Sequence, residues 1–236
     1  MRSLHVDGTA RLLDALPRHA GHVRWIQLSS VGAYGPPVSP SIPRVVDETS
    51  PEHPQGEYEA TKVQADRLVR SAAAEGAIQC VVLRPSAVAG AGMPNSSLRA
   101  LMALVRRGRF FYPGPPTSVA NYVHVDDVAD ALLACATHVS APGEIFNLSS
   151  DCLWADLMKF VASVAGVPAP WFRVPAGPVR LVATASRFLG GPLTPARVDA
   201  LVNHTSYPST KIRRLLGFSV ARPMPEGLRE LVLESR

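Results

Sequence analysis

The chain has 236 residues, with 24 Lys and Arg against 19 Asp and Glu, a formal charge of +5, and 47% hydrophobic residues. That length and composition suit one large folded core, or one with a small appendage, and exclude intrinsic disorder. No stretch approaches the ~18 uninterrupted apolar residues of a membrane span, the first residues lack a signal peptide's apolar core, and a cytoplasmic, membrane-free protein is expected.

In chain order, Leu4, Leu12, Leu13, Ala15 and Leu16 fall at helical spacing, with Pro17 and Gly21 as the exit. Val23 to Leu28 reads as a buried strand, followed by Ser29-Ser30. Pro36 to Pro54 has no periodicity and reads as a surface loop. Glu57 to Glu75 carries a helical stripe of Tyr58, Ala65, Leu68, Val69 and Ala72. Ile78 to Leu83 is a second strand, with Arg84-Pro85 read as breakers behind it.

Gly90 to Pro94 is expected as a loop and Leu98 to Val105 as a short helix. Tyr122 to Val125 looks extended, and Asp126 or Asp127 is placed to N-cap an apolar helix through Cys135. Glu144 to Leu148 is a further strand. The helix Trp154 to Ala165 follows, with short helices near Val179 to Leu189 and Thr210 to Leu216. Strands alternating with helices predict an α/β fold, a parallel sheet with helices on both faces, over residues 1–148. Residues 149–236 read as a smaller, mainly helical lobe.

The basic residues Arg106, Arg107 and Arg109, and Lys211, Arg213 and Arg214, read as solvated helix faces. Without interleaved aromatics or zinc spacing, nucleic acid is not an expected partner. Cys80, Cys135 and Cys152 are scattered and odd in number, which predicts buried reduced thiols. His19 and His22 lack a third nearby ligand, so no metal site is expected. His124 is expected to cap or pack beside Asp126. Ser29 and Ser30 lack a Gly-x-Ser-x-Gly setting, which argues against acyl transfer.

The chemistry concentrates at Tyr58-Glu59-Ala60-Thr61-Lys62. Residues four apart share a helix face, so the Tyr58 phenol and Lys62 ammonium can enter one pocket. A phenol near pKa ~10 is a poor base at neutral pH, and a nearby cation favours its anion. Ser30 lies at the carboxyl end of a strand, where α/β proteins place ligands. Together these groups can move a proton on or off a carbinol oxygen.

The ordered set Gly8-Thr9, Leu28-Ser29-Ser30, Tyr34-Gly35, Tyr58-x-x-x-Lys62, Leu83-Arg84-Pro85, Val123-His124-Val125-Asp126-Asp127, Phe146-Asn147-Leu148 and Lys211 to Phe218 resembles the extended short-chain dehydrogenase/reductase family. It is most similar to the NAD-dependent epimerase/dehydratase branch. The resemblance implies a doubly wound, Rossmann-like dinucleotide-binding domain over 1–148 and a substrate-binding lobe over 149–236. It implies Tyr58 as general acid/base, Lys62 on the nicotinamide ribose and lowering the Tyr58 pKa, Ser30 on the reacting oxygen, and Pro85 and Ser86 against the nicotinamide. The cofactor would be NAD or NADP and the substrate a small alcohol, ketone or nucleotide-sugar. A homodimer through the Tyr–Lys helix is a further implication.

Three departures qualify this. The family's opening strand, Gly-rich turn and helix have no match here, and Gly90-Ala91-Gly92-Met93-Pro94-Asn95 lacks a third glycine. Roughly 70–80 residues with about three strands of the dinucleotide half are therefore expected to be missing. A truncated, non-catalytic fragment unable to bind cofactor is then the alternative to an enzyme, and an interaction module using an exposed sheet edge is a third. His5 stands where the family usually carries Asn, and a structural role is expected for it. Ala87 stands where many nucleotide-sugar members carry Asn, which shifts the expected substrate toward steroid-like, flavonoid-like or other small alcohols and ketones.

Overall fold

A run that is apolar on both faces suits a strand covered on both sides. Cys80-Val81-Val82-Leu83 is such a run, and all four side chains are buried. It lies in the middle of the central sheet in the computed structural model, which describes residues 1–16, 22–93, 96–115, 117–188 and 194–234. A π-turn over Ser3–Asp7 opens the chain and runs into α1 (Gly8–Asp14), and β1 (Arg24–Leu28), β2 (Arg44–Val45), α2 (Glu57–Ala74), β3 (Gln79–Pro85) and β4 (Ala87–Ala89) follow. Next come α3 (Ser96–Arg106), β5 (Tyr112–Pro113), β6 (Val119–Ala120), β7 (Tyr122–His124), α4 (Val125–Thr137), β8 (Ile145–Leu148) and β9 (Cys152–Leu153). The chain continues through α5 (Trp154–Ala165), β10 (Arg173–Val174), α6 (Ala176–Phe188), α7 (Pro195–Leu201), β11 (Thr205–Ser206), α8 (Thr210–Leu216) and α9 (Arg229–Glu234).

Strands β1, β3 and β8 form a parallel sheet in that spatial order, with Leu28 opposite Leu83 and Pro85 opposite Leu148. Successive strand side chains face opposite ways. Cys80 and Val82 pack against Val69 of α2 and Leu13 of α1. Val81 and Leu83 pack against Val128, Ala131 and Cys135 of α4 and Ile212 and Leu216 of α8. The expected α/β fold, a parallel sheet with helices on both faces, is therefore present. A second core joins α3, α5 and α9 around Leu98, Met102, Trp154 and Leu231.

Several local expectations need correction. Arg84 and Pro85 do not break the second strand but belong to it, paired with Asn147 and Leu148 of β8. Pro36 to Pro54 is more than a surface loop, since Arg44–Val45 pairs in parallel with Thr205–Ser206 and Val46 is fully buried. Neither Asp126 nor Asp127 caps α4. His124 does, its Nδ1 accepting from the Asp126 amide at 3.2 Å, while buried Asp127 accepts from the Ala221 and Arg222 amides at 3.0 and 3.1 Å. Two helices, α7 and α9, were not expected. The exits at Pro17 and Gly21, and Pro94, Asn95 and Leu189, lie outside the described residues, as does His19. The three thiols are free, Cys80 and Cys135 buried and Cys152 partly so. Burial raises the Cys80 and Cys135 thiols to about 11 and that of Cys152 to about 12.

What allows Arg84 inside the sheet is its company. The side chain is 1% exposed and donates to Glu52 at 2.5 Å and to Asp66 of α2 at 3.1 Å. Its guanidinium carbon lies 4.9 Å from the Tyr34 ring centroid. The Tyr34 hydroxyl in turn donates to Asn147 at 2.9 Å, and Ser29 donates to Asp66 at 2.7 Å. Burial works against the Arg84 charge, but the bond to Glu52 and the neighbouring Tyr34 and Asp66 outweigh it and raise its pKa. Burial likewise opposes the Glu52 charge, yet Arg84 and Arg67 hold its carboxyl below the usual range.

Removing one partner from a buried ion pair strands the other charge. Arg84→Leu should therefore cost about 3–5 kcal/mol in urea unfolding, and a loss under about 0.5 kcal/mol would contradict this account. A carboxyl with a lowered folded pKa stabilises above its unfolded value, near ~4.3 for Glu, and that share is lost as pH falls through the folded pKa. Glu52→Gln should accordingly flatten the acid limb of a stability-versus-pH curve.

Candidate active site

The site grows from the carboxyl ends of β1 and β3. The Ser29 amide donates to the Leu83 carbonyl at 2.8 Å, where β1 ends while β3 runs two residues further beside β8. Ser30 is extended, and its Oγ accepts from the Gly32 amide at 3.1 Å, capping a 3-10 turn over Val31–Tyr34. That turn meets the start of α2 closely. A Cβ on Gly32 would come within 3.0 Å of Glu59 Cγ and 3.4 Å of Ser30 Oγ.

On α2, Tyr58 and Lys62 stand one turn apart, with the ammonium 5.9 Å from the phenol ring centroid. Lys62 Nζ donates to the Leu28 carbonyl at 2.9 Å, the last residue of β1. Tyr58 is 39% exposed, and its hydroxyl has no hydrogen-bond partner among the described residues. Burial, and after it the Glu59 carboxylate, raises the Tyr58 pKa. Burial lowers that of Lys62, against an opposing pull from Asp66. The expected lowering of the phenol is therefore not what these surroundings produce: burial and the Glu59 carboxylate both push it up.

Pro85 and Ser86 are buried at the end of β3. The Ser86 amide donates to the Leu148 carbonyl, and its Oγ lies 2.8 Å from Ser149 Oγ, itself 2.5 Å from the Asp151 carboxylate. The structure thus brings Ser30 and Pro85 to one sheet edge and Tyr58 and Lys62 to the helix beside it. No hydrogen bond joins the Ser30, Tyr58 and Ser86 side chains among the described residues. The half-exposed phenol and ammonium present free donor and acceptor capacity of the kind ribose and carbinol hydroxyls need.

Sequence reasoning left His5 out of this group. Its ring meets Tyr58 edge-on, with centroids 5.4 Å apart, and its Nδ1 lies 2.9 Å from Thr61 Oγ1. Burial, then Lys62, then the terminal ammonium lowers the His5 pKa. Its place against the family's Asn was the signal that could have found it. Also unforeseen was a cleft of ≈ 590 Å³ between the 36–40 segment, Ala87, β7 and α7. Among the described residues, no trio of His, Cys, Asp or Glu could hold a metal, and no helix is long and apolar enough to cross a membrane.

The model of the NAD dependent epimerase/dehydratase family matches residues 3–149. UDP-glucose 4-epimerase of Streptomyces lividans is 32% identical over 234 residues, covering 86% of this chain and 69% of that protein. The 3beta-hydroxysteroid-dehydrogenase/decarboxylase isoform 1 of Arabidopsis thaliana is 28% identical over 255 residues, covering 98% of this chain but only 57% of that protein, less than two thirds of its length. The solved structure of RMD from Pseudomonas aeruginosa complexed with NADPH aligns with a TM-score of 0.71 at 18% identity, over 99% of this chain and 73% of that one.

In ultraviolet difference titration, Tyr58→Phe should remove a transition with a midpoint above the ordinary ~10. Glu59→Gln should move that midpoint down, since a carboxylate disfavours the phenolate. A Tyr58 midpoint below ~10 would mean that the ammonium governs the phenol after all.

Proposed function

We infer, because the chain belongs to the NAD dependent epimerase/dehydratase family, that Tyr58 exchanges a proton with the oxygen of a carbinol or ketone on a small molecule. The observation that carries this reading is the half-exposed Tyr58 hydroxyl, without a hydrogen-bond partner among the described residues, one helical turn from Lys62 at the end of β1. A nicotinamide ring bound there would give or take the hydride at the neighbouring carbon. Tyr58 and Lys62 would hold its ribose hydroxyls, and Pro85 and Ser86 would border the ring. NAD and NADP both remain candidates.

A phenol whose pKa is raised is protonated at neutral pH, which suits donation to a carbonyl oxygen. Taking a proton from an alcohol needs the phenolate, which a cation close to the phenol favours. Lys62 can supply that charge if its ammonium leaves the Leu28 carbonyl for the ligand. Ser30, at the adjacent strand end, can donate a second hydrogen bond to the reacting oxygen. Residues 149–236 would supply part of the wall around the substrate, through Trp154 and α7.

A second reading is that this polypeptide does not retain a dinucleotide by itself. It is favoured by the outer edge of β1, which pairs with no described strand, and by the exposed Leu4 and Leu12. Titration with NADH and NADPH, following nicotinamide fluorescence, separates the two. Saturable micromolar binding supports the enzyme, and its absence supports the second reading. In a form that turns over, Tyr58→Phe should lower the rate by about 10²–10⁴ while leaving cofactor affinity within a few fold. Lys62→Ala should weaken both. Normal turnover in Tyr58→Phe would sink the acid/base role.

A further inference from the structure

The ≈ 590 Å³ cleft is within the range of small-molecule sites. It begins where the proposed site ends, since Ala87 follows Ser86 and the Pro36–Val38 wall follows the turn that Ser30 caps. A second, smaller cavity of ≈ 200 Å³ lies between α3 and α7. Both are lined by Tyr122, Trp154 and Ala200, so the aromatic pair is shared between them. The two rings meet edge-to-face with centroids 6.1 Å apart, and the Trp154 indole N–H donates to the Ala200 carbonyl at 3.2 Å. That bond anchors the Trp154 ring where the two cavities meet.

The lining decides what fits. Pro36, Pro37, Val38, Ala87 and Val119 make the larger chamber mostly apolar, and Ala100, Leu101, Leu104 and Leu201 do the same for the smaller. The polar groups of the larger chamber are largely engaged by the protein. Asn121 donates to Asp151 at 2.8 Å and to the Thr205 carbonyl at 2.9 Å, and accepts from Asn203 at 3.0 Å. The Asp199 carboxyl group is held by Arg180 at 2.7 Å. Among the described residues no Lys or Arg lines the larger chamber, and Arg197, which has contacts of its own in the protein, borders the smaller. Arg44 lies across the 36–38 segment in a separate cleft and donates to the Gly35 and Tyr34 carbonyls. A diphosphate is recognised by converging cations and amide donors; here it would face a carboxylate instead.

We propose that the two chambers form one substrate site, divided by Tyr122 and Trp154, that accepts an uncharged and largely apolar alcohol or ketone. The larger chamber takes the body of the molecule nearest the Ser86 edge, and the smaller takes an apolar ring or chain. This rests on the carbinol or ketone reading above for the identity of the reacting group, but not for the binding itself. The test is calorimetric titration of the 236-residue chain with pregnenolone, with 1-decanol and with UDP-glucose. Either uncharged probe should bind saturably, and UDP-glucose should not. Ala100→Phe, at an exposed helix position bordering the smaller chamber, should weaken the uncharged probe by about tenfold or more with an unchanged melting curve. Saturable UDP-glucose binding, failure of both uncharged probes, or undiminished probe affinity in Ala100→Phe would each overturn the proposal. Probe binding without any NADH binding would sink the nicotinamide reading and leave this one standing.

Discussion

A guanidinium in the middle of a sheet must be neutralised where it stands, and this one demand organises the molecule. Arg84 is met by Asp66 from α2, by Glu52 from the segment before it, and by the face of Tyr34. Tyr34 is tied through Asn147 to β8, and Asp66 through Ser29 to the end of β1. All three strands and the following helix are thereby locked to one charge. The desolvation cost of such a group is several kcal/mol per ion, so the partners cannot drift without a large loss.

That lock also sets the site. Tyr58, Lys62 and Asp66 occupy successive turns of α2, four residues apart, and hence one helix face. With Asp66 held inward by Arg84 and Ser29, the rotation of α2 about its axis is fixed. Lys62 then reaches the Leu28 carbonyl, and Tyr58 lies half-exposed beyond it. The far end of the chain closes the arrangement, since α8 covers the sheet and Asp127 binds the amides of Ala221 and Arg222.

The readable parts of this fold were those where periodicity speaks locally. Trp154–Ala165 and the Tyr–Lys helix were legible because their apolar residues recur at helical spacing. The alternation of strands and helices was enough for the parallel sheet. Arg84-Pro85 was misread because a charge followed by proline usually ends a strand, while the carboxylates that compensate lie 18 and 32 residues away. The Asp126 or Asp127 cap was misjudged because Asp is the more usual choice, whereas His124, expected to cap or pack beside Asp126, takes that place. At the site, the Tyr–Lys spacing showed which groups share a face but not where the ammonium rests. Neither the Leu28 carbonyl nor the Glu59 charge could be weighed before the strand end and the turn were in place, and His5 came to Tyr58 only through the packing of the opening helix.

The contact between Gly32 and Glu59 has a consequence for how such a site can be retuned. A Cβ built there would lie 3.4 Å from the Ser30 hydroxyl and 3.0 Å from Cγ of Glu59, whose carboxylate adds to burial in raising the phenol. A larger residue at 32 would push the Glu59 side chain by a few tenths of an ångström, and so shift the negative charge near Tyr58. A lineage could thus alter the charge around the phenol from a position outside Tyr58, Lys62, Ser30, Pro85 and Ser86.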